Sequence, residues 1–230
     1  MKTTTADKLM ELVKRNYREI AVDFDITRKK EIWPEMKFFA ERVCEGSRVL
    51  DVGCGNGRLL EAFVDKPIEY RGTDNSAEML AQAQHAYPDR KFFIADILDL
   101  GVVPETDFDW VFCLAVLHHL PTKERRVKAV EEMLAKLKPG GYLVISVWNL
   151  WSQAKDRRRL LKNIWRRIMG RHTAGWRELI FPWKNSAGQI VSQRYYHVFT
   201  GRELKKTMAA AGSVVVESFR NRSYWCVVRR

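Results

Sequence analysis

The sequence Val49-Leu-Asp-Val-Gly-Cys-Gly-Asn-Gly-Arg58 joins an apolar run to a glycine-rich turn, and an acid, Asp74, follows 21 residues after the first glycine. The apolar run 48–52 predicts a buried parallel strand. The glycines predict a turn that passes close to a ligand before a helix begins near Arg58. Asp74 ends a second predicted strand, 70–73, where a carboxylate can accept both hydroxyls of a ribose. This spacing predicts a bound nucleoside.

The arrangement of the glycines indicates which nucleoside is bound. A dinucleotide fingerprint needs GxGxxG, so that a pyrophosphate can sit on the helix N-terminus. This chain has Gly53-x-Gly55-x-Gly57 preceded by Asp51, whose carboxylate would repel a phosphate and suit an amine. The loop resembles the first motif of class I S-adenosylmethionine (AdoMet) methyltransferases, in which it holds the methionine part of the cofactor. An ordinary tight turn between strand and helix is the alternative.

Length and composition favour one domain, residues 1–230. A chain of 230 residues with 46% hydrophobic side chains can fill one α/β core. Its four cysteines form no CxxC pair, so neither a disulfide framework nor a metal site is predicted. Residues 1–10 lack the apolar region of a signal peptide, and no apolar run approaches the roughly 20 residues of a membrane span. We therefore expect a cytoplasmic protein.

Strand and helix patterns alternate along the first 150 residues, as a doubly wound fold requires. The predicted strands after the first two are 91–95, 108–116 and 142–148, and helices are predicted after Ser76 and over 123–137. Asp96 follows the third strand, and in an open parallel sheet it would converge with the other strand-end acids. Asp96 either hydrogen-bonds the adenine amino group or caps a helix at Ile97. Together these patterns predict a Rossmann-like α/β fold.

The charge is concentrated in the last third of the chain. Residues 1–150 carry 22 basic and 24 acidic side chains, whereas residues 151–230 carry 18 basic and 4 acidic ones. Apolar residues at 161, 164, 165 and 168 predict an amphipathic helix with a cationic face. We divide the domain into an N-terminal helical cover (1–45), a cofactor-binding core (46–150), a basic insertion that forms a lid (151–185) and a substrate-side C-terminal segment (186–230).

Three interpretations of the basic insertion are open. It could be a solvated charged face, or it could lie on an anionic membrane surface with Trp165 and Trp176 inserted. The favoured interpretation is a surface over 151–184 that follows the phosphates of RNA, with aromatic rings available to stack on unpaired bases.

Motifs over nearly the whole chain resemble one family, the tRNA methyltransferases that esterify 5-carboxymethyluridine at the wobble position. That family includes the methyltransferase domain of the AlkB-type tRNA hydroxylase fusion. The shared segments are Tyr17 to Arg28, Cys113-Leu-Ala-Val-Leu-His-His119, Lys138-Pro-Gly-Gly141, Arg194-Tyr-Tyr-His-Val-Phe199 and Tyr224-Trp-Cys-Val227. The resemblance implies a mostly parallel seven-stranded sheet with helices on both faces and an insertion after the fifth strand.

The resemblance also implies site residues. Those expected to bind AdoMet are Arg28, Asp51, Gly53, Gly55, Asn56, Asp74, Asn75, Asp96, Ile97, Leu114 and Ala115. Those expected at the substrate end, as catalytic residues, are His119, Trp148, Arg194, Tyr196 and His197. One of His118 and His119, which follow a buried strand, could instead be a satisfied core histidine, and one of Tyr195 and Tyr196 should be core by the alternation of a strand. No metal is expected.

Partners and chemistry follow from the same resemblance. Besides tRNA, eukaryotic members work with a small zinc-containing activator protein, which could pair with the segment 91–95 as an edge strand. A carboxylate nucleophile has a pKa of about 4 and is ionised at neutral pH, so the reaction needs alignment more than a strong base. The alternatives are a methyltransferase of a small or lipid-associated metabolite that docks on a membrane, and a non-catalytic RNA-binding protein of the same fold.

Overall fold

A computed structural model describes residues 4–28, 32–168, 177–185 and 187–230. Six α-helices lie within these residues: α1 (Thr5–Arg28), α2 (Pro34–Arg42), α3 (Ala77–Ala86), α4 (Lys123–Lys136), α5 (Ala154–Ile168) and α6 (Gly201–Ala210). The nine strands are β1 (Arg48–Val52), β2 (Glu69–Asp74), β3 (Lys91–Ile94), β4 (Phe108–Leu114), β5 (Leu137–Trp148), β6 (Glu178–Lys184), β7 (Ile190–His197), β8 (Val214–Arg220) and β9 (Ser223–Arg229).

The main sheet has seven strands in the order β3-β2-β1-β4-β5-β9-β8. The first five are parallel to one another, while β9 runs antiparallel to both β5 and β8. The order reverses at β1, which lies between β2 and β4. This is the predicted Rossmann-like class I methyltransferase fold, and the structure confirms it. β3 is an edge strand of the sheet, as predicted.

The sheet is buried on both faces because alternate residues of each central strand meet helices on opposite sides. On one face, Leu50, Val111 and Ile145 pack with α4 and α6. On the other face, Val49 and Phe112 pack with α2 and the 3-10 helix Arg58–Phe63. With both faces covered, polar ligands have access at the ends of the strands, where the connecting loops lie.

One local prediction is confirmed, and the structure differs from expectation at two other positions. Ser76 caps α3, since its hydroxyl accepts a hydrogen bond from the backbone N–H of Met79 at 3.3 Å. The helix expected at Arg58 is a six-residue 3-10 helix rather than an α-helix. The helix considered at Ile97 is absent, because that segment forms a turn closed by Asp99 N–H donating to the Asp96 carbonyl at 2.9 Å.

The predicted boundary between residues 185 and 186 falls inside a β-hairpin. β6 and β7 pair antiparallel from Glu178 opposite His197 to Lys184 opposite Ile190, forming a separate two-stranded sheet. The insertion after β5 therefore comprises α5 and this hairpin, and it extends to His197. Sequence patterns missed the pairing because β6 contains Pro182, which lowers the strand signal.

None of the helices in the described part of the chain is long and apolar enough to cross a membrane. Likewise, the described residues include no cluster of three or more histidine, cysteine or acidic side chains that could hold a metal ion.

Gly53 is the glycine whose replacement should cost most. Its φ is +74°, and an added Cβ would collide with the Val116 side chain. Gly46 has a similar φ of +72° but open space around an added Cβ. We expect Gly46→Ala to lower the unfolding free energy by about 1–2 kcal/mol for the left-handed backbone, and Gly53→Ala to lower it by about 1–3 kcal/mol more for the clash. Urea unfolding measures the unfolding free energy of both variants. Equal losses in the two would show that the Val116 side chain can move aside without destabilising the fold.

Candidate active site

One deep cavity opens at the carboxyl ends of β1, β2, β4 and β5, and most of the predicted site residues line it. Those that do are Asp51, Gly53, Gly55, Asn56, Asp74, Asn75, Ile97, Leu114, Ala115, His119, Trp148 and Tyr196. Asp96, Arg194 and His197 do not line it. The side chain of Arg28 falls outside the described part of the structure.

Asp74 holds the glycine loop at the tip of β2. Its Oδ1 accepts a hydrogen bond from Ser76 N–H at 2.9 Å, and its Oδ2 accepts one from Gly55 N–H at 3.0 Å. Burial raises the pKa of this carboxyl, while those N–H groups oppose the rise. A carboxylate has about four acceptor positions, so both oxygens can still accept a ribose hydroxyl. The geometry fits the predicted ribose contact.

Asp51 is the second acid of the cavity, and it is almost completely buried at 3% exposure. The Tyr70 hydroxyl donates to its Oδ2 at 2.9 Å. Burial raises the pKa of Asp51 to about 7, and repulsion from Asp74 adds to the rise, although the Tyr70 hydrogen bond opposes it. An ammonium group beside Asp51 would compensate the buried charge. The acid therefore suits the amine of the AdoMet methionine.

The wall opposite the glycine loop comes from the end of β4. Ala115 has a φ of 59°, which is unusual for a residue other than glycine. Its N–H donates to the carbonyl and to the hydroxyl of Ser146, at 3.0 and 3.1 Å. These bonds hold Leu114 and Ala115 at the cavity wall, and they place Val116 against Gly53.

Asp96 is turned away from the cavity. Its Oδ1 accepts a hydrogen bond from Leu98 N–H at 3.0 Å, and its Oδ2 forms an ion pair with Lys14 of α1 at 3.5 Å. Its neighbours Ala95 and Ile97 line the cavity instead. In this structure Asp96 connects the sheet to the N-terminal helix.

The far end of the cavity is aromatic. The ring of Tyr196 lies 4.7 Å from His118, 5.5 Å from Trp148 and 4.9 Å from His119, measured between ring centroids. Tyr17 of α1 completes the group. The acids that line the cavity, Asp51 and Asp74, both lie at the cofactor end. Among the described lining residues, none at the aromatic end carries a carboxylate.

His119 has both ring nitrogens engaged by the protein. Nδ1 lies 3.1 Å from the Tyr195 carbonyl, which can only accept, so Nδ1 carries the proton. Nε2, 2.8 Å from the Tyr17 hydroxyl, then accepts a hydrogen bond from it. Burial lowers the pKa of His119 to about 3, and the charge of Arg194 lowers it further. His119 is thus a neutral bridge between α1 and β7, with its ring rather than its nitrogens available to a substrate.

His118 is the residue that sequence reasoning undervalued. Its ring lines the cavity, it is 2% exposed, and its Nδ1 has no hydrogen-bond partner within the described part of the chain. Burial, together with the nearby positive charge of Arg194, holds its pKa well below the usual range. The pair of adjacent histidines was the available signal. The sequence could not show which ring would be satisfied by the protein.

Arg194 and His197 lie behind the cavity wall. The Arg194 guanidinium donates to the Tyr196 hydroxyl at 3.3 Å and stacks over the Trp183 ring at 5.3 Å. His197 donates through Nε2 to Glu203 at 2.7 Å. Burial lowers the pKa of His197, so it is neutral, whereas Glu203 stays ionised because Arg177 and Arg126 also flank it. Arg194 can act on a substrate through Tyr196, and His197 stabilises the start of α6.

The N-terminal helix supplies wall residues that were not among the predicted site residues. Met10, Val13 and Tyr17 of α1 face the cavity, and Val13 packs with Leu9 against Tyr195 of β7. Tyr195 and Tyr196 are both buried and point to opposite sides of β7. The signal was the spacing of Met10, Val13 and Tyr17, which places them on one helix face.

Comparisons with known proteins identify the class of this fold. A family model described as "Methyltransferase domain" matches residues 50–145. The SAM-bound amino pentose methyltransferase CalS10 of Micromonospora echinaspora superposes with a TM-score of 0.64 at 26% identity, over 92% of this chain and 96% of that one. The fold and the cavity are therefore those of a class I methyltransferase, and the cofactor is AdoMet.

Two curated relatives identify the family. The tRNA (carboxymethyluridine(34)-5-O)-methyltransferase of Schizosaccharomyces pombe is 30% identical over 236 residues, which cover 95% of both chains. The enzyme of the same name from Saccharomyces cerevisiae is 36% identical over 178 residues, 77% of this chain and 58% of the relative. The chain belongs to the tRNA (carboxymethyluridine(34)-5-O)-methyltransferase family.

AdoMet binding should depend on pH through Asp51. The AdoMet amine is protonated and positively charged below about pH 7.7. Asp51 attracts this charge only when its own carboxyl is ionised. Below the Asp51 pKa of about 7, the affinity for AdoMet should fall by up to about tenfold per pH unit.

The variant Asp51→Asn should bind AdoMet more weakly at pH 7.5, and its affinity should depend little on pH between 5.5 and 7. Tyr70→Phe removes the hydrogen bond that lowers this pKa, so its affinity loss should begin at higher pH. Calorimetric titration measures these values, and a wild-type affinity that is flat over this range would remove Asp51 from the amine site.

The raised pKa of Asp51 also predicts how the stability of the cofactor-free protein depends on pH. The folded-state pKa of Asp51 is raised, so folded chains keep a proton that unfolded chains lose. The free energy of unfolding should therefore fall as pH rises from about 4 to about 7. Comparing denaturant midpoints of the wild type and Asp51→Asn isolates this contribution, and an identical pH dependence in the two would contradict it.

Proposed function

We propose that the chain transfers a methyl group from AdoMet to the carboxylate of 5-carboxymethyluridine at the wobble position of tRNA, which forms a methyl ester. The observation that carries this proposal is the charge distribution in the cavity. Both lining acids lie at the cofactor end, and the opposite end is aromatic with neutral histidines. The names of the two relatives support the same substrate.

The aromatic end suits a nucleobase that carries an anionic group. Trp148 and Tyr196 can stack on a flat base, as aromatic side chains do with unpaired bases in RNA. The absence of acids at this end, within the described lining, avoids repulsion of a substrate carboxylate. Arg194 lies one hydrogen bond behind Tyr196 and adds a favourable positive potential. Arg194 is thus placed to favour the anion without a tight ion pair that would weaken the nucleophile.

The histidine pKa values favour a nucleophile that is already ionised. A general base works best when its pKa lies near the operating pH, and that of His119 is about 3. A hydroxyl or an amine would need such a base, whereas a carboxylate does not. Bound AdoMet supplies a sulfonium methyl group. The substrate oxygen forms its bond to the methyl carbon as the carbon–sulfur bond breaks, and the electron pair of that bond stays on sulfur.

Alignment is then the contribution of the protein. The Tyr17 and His119 contact joins α1 to β7 at the aromatic end of the cavity, and it holds α1 against the site. Holding the oxygen about 3–3.5 Å from the methyl carbon can account for a large part of the acceleration. The side chains of α1, Trp148 and Tyr196 are the described groups that set this position.

The product should be an ester on one nucleoside. We expect an anticodon stem-loop with 5-carboxymethyluridine to take up label from methyl-labelled AdoMet, and mild alkali to release that label. The same RNA with unmodified uridine is the matched control. Nuclease digestion and mass analysis identify the nucleoside. Label that survives alkali, or uptake by the control, would exclude carboxylate methylation.

The rate of the chemical step should be nearly independent of pH from about pH 7.5 to 8.5. The carboxylate is fully ionised in this range, the Asp51 pKa of about 7 lies below it, and the cavity histidines remain neutral. Single-turnover rates with saturating RNA and AdoMet report this step. A tenfold rise across this pH unit would favour a nucleophile that must lose a proton.

We infer that the tRNA contacts the basic insertion. α5 docks through Leu160, which belongs to the same buried cluster as Tyr196, so the helix lies near the aromatic end of the cavity. Lys155, Arg157, Arg158 and Lys162 are exposed. Trp165 is 61% exposed and is available for stacking.

Removing these charges should flatten the salt dependence of tRNA binding. Replacing Lys155, Arg157, Arg158 and Lys162 with Gln should lower the slope of log affinity against log salt by up to about 0.7–0.9 for each phosphate that the variant no longer neutralises. The matched control replaces four exposed lysines that line no cavity, Lys37, Lys91, Lys123 and Lys128. AdoMet affinity should not change in either variant. If α5 instead mediates membrane docking, its variant will no longer float with anionic liposomes and will keep the tRNA slope.

A small zinc-containing activator remains a proposed partner, on the basis of the resemblance to eukaryotic family members. β3 ends the sheet, and its Ile94 is 61% exposed, so an added strand could pair there. Slower hydrogen exchange at the β3 amides on addition of such an activator would support this pairing, and unchanged exchange would oppose it. A cytoplasmic location also remains a prediction, which cell fractionation can check.

A further inference from the structure

A second concave surface lies between α6 and the strands β8 and β9. We call it the α6 groove and define it by Gly201, Arg202, Lys205, Arg220, Tyr224 and Cys226. Its volume is about 570 Å³. The groove shares no lining residue with the AdoMet cavity, and neither the cofactor site nor the basic insertion includes any part of it.

The α6 groove opens at the same end of the sheet as the cavity. Trp148, which lines the cavity, ends β5 and pairs with Ser223 of β9. The next residue of β9, Tyr224, pairs with Arg220 of β8. Adjacent strands are about 4.8 Å apart, so the backbone of Arg220 lies about 10 Å across the sheet from the end of β5. A polymer chain with one monomer in the cavity could therefore reach the groove within a few monomers.

The groove carries positive charge that the protein does not neutralise. Arg202, Lys205 and Arg220 are exposed, and none of them forms an ion pair with any residue that the structure describes. The two acids in residues 201–230 are already engaged elsewhere. Glu203 pairs with Arg126, Arg177 and His197, and Glu217 pairs with Arg42.

The floor of the groove is neutral and flat. The Tyr224 ring lies against the start of α6, where a Cβ on Gly201 would be 3.1 Å from it. Burial raises the pKa of Cys226 to about 11, so its thiol is uncharged at neutral pH. Cations above a neutral aromatic floor provide a surface for a chain of phosphates with bases that can stack. An acidic peptide would pair with the cations but would make no use of the half-buried Tyr224 ring.

We propose that the α6 groove binds the sugar–phosphate backbone of the tRNA next to the nucleotide held in the cavity. This inference rests on the proposed function, and it names a second RNA contact, separate from the one proposed for α5. The cavity would hold the reacting nucleotide while α5 and the groove hold the RNA outside the cavity. Contacts to the backbone position the RNA without reading its sequence.

The test compares two sets of three charges. We expect Arg202→Gln, Lys205→Gln and Arg220→Gln together to lower the slope of log affinity against log salt for an anticodon stem-loop by about 2, if each cation meets one phosphate of single-stranded RNA. The control replaces Lys37, Lys91 and Lys128 with Gln and should keep the wild-type slope. Exchanging Arg202 and Arg220 for Lys keeps the charges and should also keep it.

A second readout separates RNA contact from damage to the active site. With the nucleoside 5-carboxymethyluridine alone as methyl acceptor, the groove variant should match the wild type, because a nucleoside has no flanking phosphates. With the stem-loop, its KM should rise and its kcat should stay nearly the same. A groove variant with the wild-type salt slope and KM would overturn this proposal while leaving the proposed function intact. If the wild-type protein itself neither binds nor methylates the stem-loop, both proposals fail.

Discussion

The two backbone N–H groups that bind Asp74 hold the cofactor end of this protein in place. Through them, the tip of β2 fixes both the glycine loop at Gly55 and the start of α3 at Ser76. The loop in turn needs Gly53, whose missing Cβ leaves room for Val116 from the end of β4. One carboxylate thus connects the ends of neighbouring strands, and the shape of the cavity depends on that connection.

Electrostatic separation is the second organising feature of the site. Asp51 and Asp74 concentrate negative charge at the end of the cavity that we assign to the cofactor amine and ribose. At the other end, burial keeps His118 and His119 neutral, and Arg194 contributes positive potential from behind Tyr196. The negative charge therefore lies at the end assigned to the cationic cofactor, and the positive potential lies at the end assigned to the proposed anionic acceptor. Such an arrangement supports transfer between them without a proton-accepting side chain.

The fold was predictable because its signals are local. Apolar runs of four to nine residues, each followed by a turn or a cap, indicate a parallel sheet, and the glycine spacing with Asp74 indicates the cofactor. The structure confirms the sheet, and the comparisons with known methyltransferases support the cofactor. Substrate-side residues were harder to predict because their roles depend on neighbours that are distant in sequence. Asp96 is engaged by Lys14, 82 positions earlier, and His119 is held between Tyr17 and Tyr195. Motif matching selected Arg194 and His197 as substrate-end residues, but it could not show that both lie behind the cavity wall.

The sequence by itself determined the sheet, the cofactor loop and the concentration of positive charge after residue 150, since each depends on residue type and short-range spacing. Tertiary structure alone decided which of two adjacent histidines keeps an unpartnered nitrogen, and which cations remain unpaired. Both outcomes depend on what packs against a side chain. α1 reaches across the cavity to satisfy His119 but not Nδ1 of His118, and Arg126, Arg177 and His197 gather around Glu203 while Arg202 and Lys205 stay exposed. Long-range contacts of this kind leave no periodic pattern in the chain, because the partners are brought together by the closing of the sheet and its helices.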